Sequence, residues 1–139
     1  LEQLRGEAST LAFVAVEREQ VVGHIFFSPV TIEGTLTENA RLLELGPIAV
    51  LPAYQQRGIG ALLIQHSLAI CRQLGYTAVV VLGDPAYYTR FGFSPAYRQG
   101  LTCEYSVPDE AFMVLELMSG ALEGCHGIVK YRAEFSACE

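Results

Sequence analysis

The chain has 139 residues, 51% of them hydrophobic and 17% charged, a length for one domain and a composition that excludes both a disordered tail and a charge-rich rod. No apolar run approaches the roughly 20 residues of a membrane span and nothing at the start reads as a signal peptide, so a soluble cytoplasmic protein, without a membrane partner, is expected. Nine basic residues against 15 acidic ones leave a net charge of −6, which repels nucleic acid unless a local basic surface overrides it.

In chain order, Leu11–Val16 and Val21–Phe27 are apolar runs separated by Glu17-Arg18-Glu19-Gln20, the pattern of a β-hairpin. The second arm bends at Ser28-Pro29 and continues through Val30-Thr31-Ile32 to a turn at Glu33-Gly34. Leu42–Leu51 is a further strand, and Pro47, which has no N–H to donate to a ladder, predicts a bulge at Gly46-Pro47. After Pro52 the period turns helical: Ile59, Leu62, Leu63, Ile70 and Leu74 predict a helix over Gly58–Leu74, closed by Gly75 in the left-handed conformation. Thr77–Leu82 is a continuous β-branched and aliphatic run, as in strands buried on both faces. Strand, helix and strand then form a right-handed βαβ unit with parallel strands. Asp84-Pro85 supplies an N-cap and a proline at the first helical position, and Gly92 ends a helix of two turns. Leu101–Val107 and Ala111–Leu117 are expected to be antiparallel strands near an edge, and the segment after Ser119 receives no assignment. An α+β domain with a mixed sheet accounts for this order.

The four cysteines, Cys71, Cys103, Cys125 and Cys138, lie far apart without metal-ligand spacing, so free thiols and no metal are expected. The chain opens on Leu1 and has methionine only at 113 and 118, so its beginning is expected to lie upstream.

The strongest chemical signal is Gln55-Gln56-Arg57-Gly58-Ile59-Gly60, between a strand and the long helix. The first turn of a helix exposes unpaired N–H groups and about half a positive charge, which attract phosphate. Two glycines one residue apart remove the Cβ atoms that would hold a pyrophosphate off that backbone, and Arg57 adds a full charge. The same glycines would also serve a tight strand-to-helix turn. A Walker loop would need Lys and Ser or Thr after the last glycine, where Ala61-Leu62 stands, and a dinucleotide fingerprint would need glycine at Leu63.

Leu45–Leu63 resembles the central strand, pyrophosphate loop and helix of the GNAT superfamily of acetyl-CoA-dependent N-acetyltransferases. Gly83-Asp-Pro-Ala-Tyr-Tyr-Thr-Arg-Phe-Gly-Phe93 is similar to that family's second signature, a short helix carrying a tyrosine before Gly-Phe, in the wording of a branch with uncertain substrates. The resemblance implies an acyl-CoA N-acyltransferase fold: a mixed twisted sheet flanked by helices, with a splayed central strand. It further implies that backbone groups of Ile48, Ala49 and Val50 pair with the pantetheine arm of acetyl-CoA, and that the segment Gln55, Gln56, Arg57, Gly58, Ile59, Gly60 and Ala61 cradles the pyrophosphate. Asp84 stands where many relatives have asparagine, so a contact to the cofactor arm is expected to become a helix cap. The family's first strand and helix should precede residue 11, and Leu1–Ser9 holds room for the end of one helix; residues 1–139 therefore read as a single acetyltransferase domain lacking its first strand and helix.

Attack of an amine on a thioester sets three tasks. The acceptor must lose a proton, because a lysine-like ammonium, with a pKa of about 10.4, has no lone pair. The tetrahedral oxyanion needs a donor, for which an N–H near Ile48–Val50 is the candidate. The leaving thiolate, whose thiol has a pKa of about 8.5, needs a proton or a hydrogen bond, and the resemblance assigns this to Tyr88, with Tyr87 as core or cofactor wall. Glu44, on the parity of Gly46, is the candidate base acting through a water, against the plainer reading of a surface carboxylate. His24 and His66 read as packed residues, and His126 receives no role. The expected activity is direct acetyl transfer in a ternary complex to the primary amine of a small molecule or peptide, with a homodimer as an admissible assembly. A silent acyl-CoA-binding sensor is the competing reading.

Overall fold

The computed structural model describes residues 2–5 and 10–131. Its elements run β1 (Glu2–Arg5), β2 (Leu11–Glu17), β3 (Gln20–Pro29), β4 (Thr31–Thr35), β5 (Leu42–Val50), α1 (Ile59–Gln73), β6 (Ala78–Leu82), α2 (Pro85–Tyr88), β7 (Ser94–Pro95), β8 (Leu101–Cys103), β9 (Phe112–Glu116) and β10 (His126–Lys130). Seven of these strands form the main sheet, in the order β1-β2-β3-β5-β6-β9-β7. Residues 2–5 are thus a strand antiparallel to β2, where the end of a helix was expected. The hairpin β2–β3 turns through Arg18 and Glu19, both at positive φ.

The expected βαβ unit is present. β5 and β6 run parallel, connected through a one-turn 3₁₀ helix at Pro52–Tyr54 and α1. The buried face of α1 is formed by Leu63, Ile64, Ser67, Leu68 and Cys71. Its apolar members pack against Phe13, Ile25, Phe27, Leu43, Val79 and Val81. Leu62 and His66, both on the expected apolar stripe, are exposed instead, because the face turned to the sheet lies one residue further round the helix.

Strand β6 is buried on both faces, as its unbroken aliphatic run predicts: Val79 and Val81 join the core under α1, whereas Ala78 and Val80 join a second core on the opposite side. That side is covered by a three-stranded sheet in the order β4-β10-β8. Val129 and Leu101 face the main sheet there, packed with Leu42, Val80, Phe112 and Val114. One expectation changes accordingly: the strand at Leu101 ends at Cys103 and runs parallel to β10 in this second sheet. The α-helices pack into the core on one face of the mixed main sheet, as the expected α+β fold requires, while the second sheet and a 3₁₀ turn at Ala96–Gln99 cover the other. β9 is antiparallel to β6 and one strand from the edge, as expected.

The central strand splays. β5 pairs with β6 only over Leu42, Glu44 and the residue between them, while its pairing with β3 continues to Val50. Along β3 the register advances two residues from Ile25 to Phe27 as β5 shifts by three, from Ile48 to Leu45, so the bulge expected at Gly46-Pro47 is there. Beyond Glu44 the β6-facing edge of β5 is left without a ladder partner among the described strands.

Candidate functional site

The splay opens toward the start of α1. Gly58 is the N-cap residue, at φ 79° and ψ 8°, a left-handed conformation that costs an L-residue roughly 1–2 kcal/mol. Gln56 is also left-handed, at φ 64°. The first intrahelical bond runs from the Leu62 N–H to the Gly58 carbonyl at 3.0 Å, so the N–H groups of Ile59, Gly60 and Ala61 have no partner inside the helix. No side chain caps them, and no acidic residue stands in the first turn. In a chain of net charge −6 this leaves an electropositive helix terminus free to meet an anion.

These groups line a groove of about 440 Å³, formed by Val50 at the end of β5, Gln55, Gln56, Gly58 and Ile59 in the turn, and Tyr87 and Arg90 opposite. Tyr54, Gly60 and Ala61 complete its wall. Gln55 Nε2 donates to the Val50 carbonyl at 3.0 Å and ties the turn to the strand. Arg57 does not line the groove; its guanidinium lies 5.0 Å from the centroid of the ring of Tyr54, a lining residue. Ile48 and Ala49 lie further along the splayed strand, half-buried and exposed respectively.

The two glycines act differently. A Cβ on Gly58 would meet nothing within 4 Å, so that position needs glycine for its backbone angle. A Cβ on Gly60 would lie 3.2 Å from the Tyr87 hydroxyl, so that position needs glycine for the close approach of the opposite wall.

The opposite wall begins where β6 ends. Asp84 caps α2, its Oδ1 accepting from the Ala86 N–H at 2.9 Å, which makes it the cap that the sequence predicts. α2 runs into a 3₁₀ turn at Thr89–Phe91 that Gly92 closes at φ 96°, so the expected two-turn helix is one α-turn followed by one 3₁₀ turn. Tyr88 points inward, 8% exposed, edge-on to Phe93 at 5.6 Å and to Tyr87 at 5.1 Å. A Cβ on Gly83 would collide with the Tyr88 ring, so this glycine makes room for the tyrosine. Burial, and after it the neighbouring Tyr87, raise the Tyr88 phenol above its ordinary value of 10.0, so it is protonated at neutral pH and able to donate. Tyr87 forms groove wall, with the Arg90 guanidinium 5.2 Å from its ring centroid. Sequence reasoning missed Arg90 as a site residue; the signal was its place one turn after Tyr87, on the same side of a short helix.

Glu44 is buried, 8% exposed, rather than a surface carboxylate. It sits on the last rung of the β5–β6 ladder, opposite Val80, and faces Ser28 across the β3–β5 ladder. Cys71, Cys103 and Cys125 are free thiols, and Cys138 lies outside the described residues. Among the described residues, no three His, Cys, Asp or Glu side chains are grouped to hold a metal ion, and no helix is long and apolar enough to cross a membrane.

A family model of the GNAT acetyltransferase domain matches residues 8–95. The chain is 39% identical over 128 residues to the uncharacterized N-acetyltransferase YhbS of Escherichia coli K12, an alignment spanning 91% of this chain and 75% of that protein. The 1.55 Å crystal structure of Escherichia coli YhbS in complex with CoA matches with a TM-score of 0.85 at 39% identity, over 92% of this chain and 70% of that one. A GNAT family acetyltransferase from Brucella melitensis in complex with acetyl-CoA matches at 41% identity with a TM-score of 0.69, over 90% and 68% of the two chains.

Proposed function

We propose, from the premise that the chain belongs to the GNAT family of N-acetyltransferases, that it transfers the acetyl group of acetyl-CoA directly to a primary amine, with Tyr88 and Glu44 as the acid and base. The observation that carries the reading is the uncapped start of α1, its free N–H groups and Arg90 lining one groove beside a splayed strand. The groove fits the diphosphate of the coenzyme: it offers donors and a cation, no acidic side chain lines it, and Gly60 keeps it open.

In this reading the N–H groups of Ile59, Gly60 and Ala61 hold the pyrophosphate, and the unladdered edge of Ile48–Val50 holds the pantetheine arm as an added strand. Acetyl-CoA supplies the activated acyl group. Backbone N–H groups near Ile48–Val50 stabilise the oxyanion, and the Tyr88 hydroxyl hydrogen-bonds the departing sulfur. Glu44 takes the proton of the acceptor amine through a water. The acceptor is a small molecule or a peptide amine. Calorimetry with acetyl-CoA, followed by CoA release across an amine panel, tests the reading. Binding accompanied by amine-dependent release is expected. No heat and no thermal shift in excess coenzyme would refute it, since a ligand at about 100 times its Kd stabilises by roughly 2.7 kcal/mol.

A further inference from the structure

Ser28 lies on β3 directly opposite Glu44 on β5, so the two side chains leave the same face of the sheet. Directly opposed residues have Cβ atoms about 4.5–5.5 Å apart, within reach of a serine hydroxyl and a glutamate carboxylate. Ser28 is 0% exposed, and its Oγ has no hydrogen-bond partner among the described residues. A buried hydroxyl in that state is costly, and native structures hold few of them. The apolar neighbours on that face, Val30, Leu42 and Val80, offer nothing to accept its proton. Glu44 has another partner in the structure, but an ionised carboxylate accepts at about four sites and has capacity for a further donor.

We propose that Ser28 is a positioning residue whose hydroxyl donates through one bridging water to the Glu44 carboxylate and fixes the base toward the acceptor side of the splay. The proposal rests on the reading of Glu44 as the base. It adds a residue from outside both sequence signatures, placed by strand register alone.

The test compares Ser28→Ala, Glu44→Gln and the double variant at saturating acetyl-CoA, with the fastest amine of the panel as acceptor. Ser28→Ala is expected to lower kcat about tenfold with the KM for acetyl-CoA unchanged, Ser28→Thr to recover most of the loss, and the double variant to be no slower than Glu44→Gln alone. If Glu44→Gln keeps full turnover, the reading beneath the proposal fails and the proposal with it. If Glu44→Gln is slow and Ser28→Ala is not, the Ser28 assignment alone fails. Urea unfolding reads the same contact without an acceptor: Ser28→Ala is expected to lower the midpoint, and a midpoint unchanged or raised would mark the hydroxyl as an orphan and overturn the proposal.

Discussion

Replacing Tyr88 by phenylalanine removes one oxygen and little else. The ring keeps its edge-on contacts with Tyr87 and Phe93, and Gly83 still leaves room for it, so the fold and the groove should persist. General acid catalysis contributes about 10²–10⁴-fold. The structure points to the lower end of that range. Burial raises the phenol above 10.0, whereas the departing thiol has an ordinary pKa of about 8.5. Full proton transfer from phenol to thiolate would therefore run uphill, and the role proposed for the hydroxyl is mainly that of a hydrogen-bond donor. About a hundredfold loss in kcat, or ~3 kcal/mol in the barrier, is expected with acetyl-CoA affinity unchanged. A thiol-reactive chromophore reads CoA release, and calorimetry reads affinity. The upward shift also sets the pH profile: the donor is lost only as pH rises past 10, so wild-type turnover should show no tyrosine-dependent fall below that value. A variant within twofold of wild-type kcat would remove Tyr88 from the chemistry, and one that loses coenzyme affinity instead would make it a structural wall.

Gly60→Ala places a Cβ 3.2 Å from the Tyr87 hydroxyl and should weaken acetyl-CoA binding by calorimetry, and Tyr87→Phe added to it should restore part of the affinity by removing the obstructing oxygen. Arg90→Ala removes the cation on the far wall of the groove; about a tenfold loss of affinity is expected, shrinking as salt is raised, and a loss independent of salt would count against an electrostatic role. Cys71 is fully buried and its thiol is pushed up to about 12 from 9.0 by desolvation. Its stabilising contribution is complete below pH 9 and is lost as pH rises toward 12, by up to about 4 kcal/mol, so alkaline unfolding should flatten in Cys71→Ala, and a thiol reagent at about pH 8 should label half-exposed Cys103 before Cys71.

What was legible in the sequence was local. The helical period after Pro52, the glycine at the helix entrance, the Asp-Pro cap and the unbroken run of β6 each reflect forces acting within a few residues, and each appears where its residues predict. The second sheet was not legible because its order comes from distant pairings. Gly127 meets Gly34 across the ladder, and a Cβ on either would strike the other strand's backbone, yet nothing near either glycine names its partner. β8 is three residues long, too short to show a period, and its parallel partner lies beyond a long connection. The site divides in the same way. The turn proposed to hold the phosphates is one continuous segment, whereas Arg90 reaches the groove and Ser28 faces Glu44 only through packing and register.

The bulge in β5 connects the fold to the chemistry. Leu43 and Leu45 face the core under α1, and so do Ile48 and Val50, which strict alternation from Leu45 would turn to the other side. One extra residue at Gly46-Pro47 reverses the parity. Glu44, before the reversal, faces away from α1 with Ser28 and Val80, while Val50, after it, reaches the groove at the start of α1. The strand thus presents Glu44, the proposed base, on one face and the groove proposed for the coenzyme on the other, with its unladdered edge between them. Deleting Pro47 removes the extra residue, so simple alternation from Leu45 keeps Ile48 and Val50 on the core face while the bulge that frees the edge of the strand is lost. The deletion variant should then lose acetyl-CoA binding while Ile48 and Val50 stay buried, and retained binding would show that the bulge is not what joins the two halves of the site.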